Sequence, residues 1–152
     1  MAKTTVVEIN GQRYQLRKLL PDVGSYIYMK MMGVLLTASA DAQATPDADE
    51  NAPKPTEQDK ARMLCTLAFM RGLSYEDLKF AQRQCMQATS RIEASPTGTD
   101  ITIPIMNDFG RWAIPEIADD ISLVNNITTE SLVFSLSSFF SDRPLAATPT
   151  AG

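Results

Sequence analysis

Histidine is absent from the 152 residues of this sequence, and its absence excludes much of the common chemistry of enzymes. Histidine is the usual general base near neutral pH, the partner of serine and cysteine nucleophiles, and a frequent zinc ligand. Cysteine is scarce as well, because only Cys65 and Cys85 are present, too far apart for a CxxC motif. We expect a protein that is not an enzyme, with no catalytic residue, no cofactor and no metal site. The two cysteines are expected to be buried, reduced thiols.

Positive charge and long apolar runs are also in short supply. The 14 Lys and Arg residues are outnumbered by 18 Asp and Glu residues, which gives a net charge of -4. Nucleic-acid binding relies on clustered cations that displace counterions, so this balance argues against it. No apolar run approaches the roughly 20 residues that cross a bilayer, and the N-terminus lacks the apolar core of a secretory signal. We expect neither a nucleic acid nor a membrane among the partners.

The first residues predict a β-hairpin over Thr4 to Leu19. Its turn is the Asn-Gly pair at 10–11, which favours a type I′ turn, and residues common in strands flank it. A two-residue loop places Glu8 opposite Arg13, so that opposite charges pair on one face. The other face is then apolar and holds Val7, Ile9, Tyr14 and Leu16.

A first helix is predicted from Pro21 to about Ala38. Leu20, Val23, Ile27, Met31 and Val34 follow helical spacing and form one apolar stripe. Further large side chains lie off that stripe, namely Tyr26, Tyr28, Met29, Met32 and Leu36. A helix that is apolar over most of its circumference is either central to the core or turns part of its surface to a partner.

Residues 40–55 contain acidic and small residues and three prolines but no large apolar side chain, and we expect a disordered acidic loop there. Two helices are predicted after it, opened by capping signals at Thr56 and Ser74. Gly72 ends the first of them, and the second is expected to continue through Ile92. The short connection between them predicts an antiparallel helix pair.

The last third of the chain predicts two short strands and two helices. Residues 101–105 alternate like an edge strand, residues 111–114 could return as a second strand, and residues 117–124 suggest a short helix. The last helix is expected to be capped by Thr128 or Thr129. It carries an apolar stripe of Leu132, Val133, Leu136, Phe139 and Phe140, and we expect Ser131, Ser135, Ser138 and Ser141 on the opposite face to be its solvent side.

These elements predict an α+β fold. The expected architecture is a mainly α-helical single domain over residues 1–141 with an N-terminal β-hairpin, a disordered acidic loop at 40–55 and a disordered tail at 142–152. Asp119 and Asp120 are an adjacent acidic pair that could in principle bind Mg²⁺, but we interpret them as a solvated helix face.

Methionine is used in an informative way, since six of the 8 methionines fall on predicted helices. Its flexible thioether fills irregular gaps in a core, and it also makes surfaces that accept varied apolar partners. Both interpretations stay open for the first helix. Trp112 is open in the same way, because a lone tryptophan either closes the edge of a core or contacts a partner.

Several segments, taken in order along the chain, resemble the tail assembly chaperones of tailed bacteriophages, specifically those of long-tailed phages of Gram-negative hosts. The resemblance follows the hairpin, the apolar helix and the Pro/Ala/Asp-rich insertion, and it continues through three short motifs. These are Arg71-Gly-Leu-Ser-Tyr-Glu-Asp-Leu78, Pro104-Ile-Met-Asn-Asp-Phe-Gly-Arg-Trp112 with Asp119-Asp120 after it, and Leu132-Val-Phe-Ser-Leu-Ser-Ser-Phe-Phe140.

The resemblance implies a chaperone that keeps the tape measure protein soluble in the host cytoplasm and assists assembly of the tail tube around it. It further implies the tail tube protein and a longer frameshifted form of the chaperone as partners, the present chain being the short form, which is expected to be absent from the mature virion. Binding many weak sites along a client would also favour a homo-oligomer. The alternative is a structural minor tail or tail-completion protein of the virion.

Partner-binding residues are expected among the surplus apolar side chains. The candidates are Tyr28, Met29 and Met32 on the first helix, with Trp112, Phe139 and Phe140 as alternatives. Amphipathic client helices would lie against such a surface.

Overall fold

The computed structural model describes residues 3–38 and 56–140. The predicted acidic loop at 40–55 and the predicted tail at 142–152 lie outside the described residues. Within them the chain adopts the expected α+β fold, in which an antiparallel sheet packs against a group of helices.

Four strands form one antiparallel sheet in sequence order: β1 (Thr4–Ile9), β2 (Gln12–Arg17), β3 (Thr89–Ala94) and β4 (Asp100–Pro104). The hairpin of β1 and β2 is confirmed together with its register, in which Glu8 lies opposite Arg13. Asn10 and Gly11 have φ values of 53° and 81°, the positive values that a type I′ turn requires. The strand predicted at 101–105 is confirmed as the edge strand β4.

Five helices and a terminal 3₁₀ turn complete the described fold: α1 (Pro21–Ala38), α2 (Glu57–Arg71), α3 (Tyr75–Gln87), α4 (Pro115–Ala118), α5 (Ile121–Leu136) and the 3₁₀ turn (Ser137–Phe140). The capping box of α2 is confirmed, because the Thr56 hydroxyl accepts the Asp59 N–H at 3.1 Å while the Asp59 carboxylate accepts the Thr56 N–H at 3.0 Å. Gly72 ends α2 with a φ of 100°. The Ser74 hydroxyl caps α3 in the same way.

The prediction that α3 continues through Ile92 was wrong. The helix ends at Gln87, and the chain continues as β3, which is hydrogen-bonded to β2 on one side and β4 on the other. The Thr89 hydroxyl donates to the carbonyl oxygen of Cys85 at 2.8 Å and closes the last turn of α3. The expected antiparallel pair is also not the main packing of these helices, because α3 packs chiefly on α5 and α2 on α1 and α5.

The predicted start of the last helix was wrong as well. The helix α5 begins at Ile121, and the Asp120 carboxylate caps it by accepting the N–H of Leu123 at 3.0 Å. Thr128 lies inside the helix, where its hydroxyl donates to the Val124 carbonyl oxygen at 2.7 Å. The predicted helix at 117–124 is therefore divided between α4 and α5, and Asp120 is a helix cap.

Two further expectations are corrected around α5. The predicted strand at 111–114 is reduced to one bridge between Met106 and Trp112, because Pro115 starts α4 before a second pair can form. The expected solvent face of serines is partly buried, since Ser131 and Ser135 are both inside. The Ser135 hydroxyl accepts the N–H of Leu19 at 3.0 Å.

The core surrounds α5, which packs against α1, α2, α3 and the hairpin strands. Its largest fully buried apolar side chains come from β2, α1, α3, α5 and the segment after β4: Leu16, Met31, Met86, Ile105, Ile127, Leu132 and Leu136. Cys65 and Cys85 are confirmed as buried free thiols. Burial raises the pKa of each thiol to about 12, so both remain protonated near neutral pH.

Candidate partner-binding site

The structure joins three of the predicted site residues in one aromatic cluster. The ring of Tyr28 on α1 stacks on Phe139 of the 3₁₀ turn, with ring centroids 4.3 Å apart and planes only 7° from parallel. Phe140 meets the same tyrosine edge-on at 6.0 Å. These contacts fasten the 3₁₀ turn to α1, so Tyr28 and Phe140 contribute chiefly to packing and Phe139 remains partly exposed.

Met29 and Met32 have different environments although both were predicted to contact a partner. Met29 is 71% exposed, whereas Met32 is half-buried and packs against the core. Only Met29 therefore offers most of its apolar surface to another molecule.

An exposed apolar stripe runs along α1 and consists of Tyr26, Met29 and Leu36, which we call the α1 stripe. Their spacings of three and seven residues put them on the side of the helix away from buried Ile27 and Met31. The Tyr26 hydroxyl donates to the Asp77 carboxylate at 2.9 Å, and this hydrogen bond raises the pKa of Tyr26. This hydrogen bond links the N-terminal end of the α1 stripe to α3.

A second stripe, the α2 stripe, was not singled out from the sequence. It consists of Met63, Leu67 and Met70, all exposed, with Met70 at 77%. The face of α2 that is buried is built mainly of small side chains, Ala61, Cys65 and Ala68, together with Leu64. The spacing of four and three residues within the stripe was visible in the sequence, but nothing there told which of the two faces would be buried.

Trp112 belongs to a different surface. It lines a cleft of about 260 Å³ between α3 and the loop after β4, which we call the Phe109 cleft and define by Lys79, Arg83, Met106, Phe109, Trp112 and Val124. Trp112 is half-buried at the edge of the core. Its side chain makes no hydrogen bond to the described residues. Trp112 thus lines the Phe109 cleft and is not part of the aromatic cluster of Tyr28, Phe139 and Phe140.

The loop of the Phe109 cleft is held by its own hydrogen bonds. The Asn107 side-chain oxygen accepts the N–H groups of Phe109 at 2.9 Å and Arg111 at 3.0 Å. Gly110 has a φ of 81°, and a Cβ there would lie 2.8 Å from the Arg83 guanidinium, which rests against it. This turn presents the Phe109 side chain 83% exposed at its tip. The sequence contained the signal, a phenylalanine within a polar turn motif.

The described residues give no sign of a metal centre or a membrane span. Residues 3–38 and 56–140 hold no group of three or more His, Cys, Asp or Glu side chains placed to bind a metal ion. None of the helices in these ranges has the length and apolar character needed to cross a bilayer.

Comparisons with protein-family models, with curated proteins and with solved structures found no match to this chain.

Proposed function

We propose that this protein is a non-enzymatic assembly chaperone that binds apolar helical segments of a client through the α1 and α2 stripes. The observation that carries the proposal is the exposure of Met29 and Met70 on two helices that pack together. Apolar surface left in water over two neighbouring helices is typical of a protein interface. Methionine suits such a role because its flexible side chain adapts to different apolar partners.

The client we propose is the tape measure protein of a phage tail, in line with the sequence resemblance to tail assembly chaperones. Amphipathic helices of such a client would lay their apolar faces on the stripes, in the manner of helix-in-groove recognition. The net charge of -4 would help keep the complex soluble. The tail tube protein, a longer frameshifted form and further copies of this chain are proposed as additional partners, all in the host cytoplasm.

Coexpression with the tape measure protein tests this proposal. The expected result is a soluble complex that copurifies on a tag placed on the client. The double variant Met29→Ser with Met70→Ser should lose the complex while it remains folded, because both side chains are largely exposed. Ile101→Ser is the matched control, since it removes an exposed apolar side chain from β4. A complex that survives the double variant would contradict the proposed surface.

A structural tail protein is the second candidate, and the edge position of β1 favours it. Among the described strands β1 pairs with β2 alone, it has six residues and no proline, and Val6 on it is exposed. Such an edge can add to the sheet of a neighbouring subunit. Purified virions distinguish the two functions, because a chaperone is expected to be absent from them and a structural protein to be present.

A further inference from the structure

We propose that two copies of this chain associate as a dimer. Each copy places a corner that carries acidic side chains and one apolar side chain in the Phe109 cleft of the other copy. The corner, which we call the Ile121 corner, consists of Glu116, Asp119, Asp120 and Ile121 at the junction of α4 and α5. The inference is independent of the chaperone function, since it concerns a different surface from the α1 and α2 stripes and needs no client.

The Phe109 cleft combines an apolar floor with a basic rim. Met86 and Met106 are buried beneath it, and Phe109 stands exposed at the tip of its hydrogen-bonded turn. A rigid aromatic side chain of this kind is a good anchor, because little conformational freedom is lost when it is covered. The floor therefore suits one apolar side chain of a partner.

The rim of the cleft is positively charged and is not neutralised by its own lining. Lys79 and Arg83 lie one turn apart on α3, and no acidic side chain is among the residues that line the cleft. The ion pairs formed between described residues involve Arg13, Arg62 and Arg91 but neither of these two cations. Lys79 lies 5.8 Å from the ring centroid of Tyr75, and the Arg83 guanidinium rests on Gly110.

The acidic residue of the loop, Asp108, is not among the residues that line the Phe109 cleft. Asp108 is next to Phe109 in sequence, but it lines a separate pocket together with Arg17. Arg111 adds a further positive charge beside Phe109 at the tip of the loop. The cleft in a chain of net charge -4 is therefore a local excess of cations that suits an acidic partner.

The Ile121 corner supplies the complementary features on the same molecule. Ile121 is 77% exposed and follows directly after two acidic residues. Glu116 and Asp119 are exposed and make no ion pair with the described residues, while Asp120 caps α5. One large apolar side chain beside carboxylates complements the apolar floor and the basic rim of the cleft.

The corner and the cleft also lie on one continuous surface. Val124, one turn after Ile121 on α5, is part of the lining of the cleft. In a dimer with two-fold symmetry, the same patch on both subunits must complement itself. Adjacent basic and acidic halves meet that requirement, because a two-fold rotation places each half opposite the other.

The acidic segment at 40–55 is a weaker occupant on sequence grounds. It contains Asp47, Asp49 and Glu50 but no large apolar side chain that could fill the floor. A second copy offers both the charge and the isoleucine. Because the cleft is small, we expect a reversible dimer that weakens as salt screens the charges.

The test is a charge swap measured by sedimentation equilibrium on the full chain over a range of concentrations. Arg83→Glu and Asp119→Lys should each weaken dimerisation about tenfold or more, because like charges then meet at both contacts of the homodimer. An equimolar mixture of the two variants should restore dimerisation, since opposite charges meet at both contacts of the heterodimer. Lys60→Glu, on α2 outside the cleft, is the matched control and should leave dimerisation unchanged.

Two further variants probe the apolar part. Ile121→Ser and Phe109→Ser remove exposed side chains, so both should fold normally and remain monomeric at concentrations where the wild type dimerises. Fluorescence of Trp112, which lines the cleft and is the only tryptophan, gives a second readout. A wild type that is monomeric at every concentration would overturn the proposal. So would a dimer that tolerates the single variants, or a mixture that stays monomeric.

Discussion

Met29 and Met31 give the sharpest test of how α1 is oriented. They are two residues apart on one helix and have the same side chain, but Met29 is 71% exposed and Met31 is 0% exposed. Replacing each by alanine keeps the helix propensity high, so the difference between the two variants reports the environment alone. We expect Met31→Ala to lower the free energy of unfolding by about 2 to 5 kcal/mol, and Met29→Ala to change it by less than about 0.5 kcal/mol.

Client binding should show the opposite order. Burying a methionine side chain completely is worth about 1.5 to 3 kcal/mol, and 71% of the Met29 side chain remains to be covered. Met29→Ala should therefore weaken binding by about 1 to 2 kcal/mol, or roughly five- to thirtyfold. Met31→Ala should leave binding unchanged under conditions where that variant is still folded.

Urea unfolding followed by circular dichroism measures the stability of the two variants, and an unchanged m-value would show that the unfolding reaction is the same. Titration against an amphipathic helical peptide measures binding. Equal destabilisation by Met29→Ala and Met31→Ala would refute the assigned orientation of α1. Unchanged peptide binding by Met29→Ala would remove the α1 stripe from the proposed site.

Further predictions concern a helix cap, a glycine turn and the two buried thiols. Asp120→Ala should lower the free energy of unfolding by about 1 kcal/mol in urea denaturation, because the cap of α5 is lost, whereas Asp120→Asn should retain most of it. Gly110→Ala should cost about 1 kcal/mol or more in the same assay, since a φ of 81° strains alanine and its Cβ would collide with Arg83. Cys65 and Cys85 should resist alkylation in the folded protein at neutral pH and react fully in urea, as followed by mass spectrometry. Because folding raises their pKa values from 9.0 to about 12, the unfolded thiols lose their protons first, and stability should fall as pH rises from about 9 towards 12.

Features with local causes were predictable from the sequence. The Asn-Gly turn fixes the register of the hairpin, because a two-residue type I′ turn matches the twist of its strands and sets which residues lie opposite each other. The capping signals at Thr56 and Ser74 were correct because each of them satisfies backbone groups within its own first turn. None of these features depends on what lies on the far side of the molecule.

Features with distant causes were not predictable in this way. Residues 89–94 form a strand because β2 and β4 supply partners on both sides, and β2 lies far away in the sequence although β4 follows after the short turn at 95–99. The helical spacing through Ile92 could not reveal that competition. Thr128 and Asp120 are both good capping residues, and the choice between them depends on how much of α5 the other helices cover.

The candidate site was only partly predictable, because the packing of distant segments decides which apolar side chains remain exposed. The surplus of apolar residues on α1 indicated a surface for a partner, and Met29 is indeed exposed there. The sequence could not separate Met29 from Tyr28, whose ring is held by Phe139. The α2 stripe and Phe109 needed the packing of the helices and the shape of one turn, which periodicity alone does not give.

The serines of α5 and the methionines of α2 reveal one principle between them. Because helices pack on several sides of α5, small side chains such as Ser131, which lies beside the Cys85 thiol, are buried there and let the helices approach closely. On α2, Ala61 and Ala68 likewise face the core while Met63 and Met70 face outwards. This arrangement reverses the usual preference for large apolar side chains inside, and among the described residues it leaves apolar area of α2 exposed, which is the kind of surface that protein interfaces use.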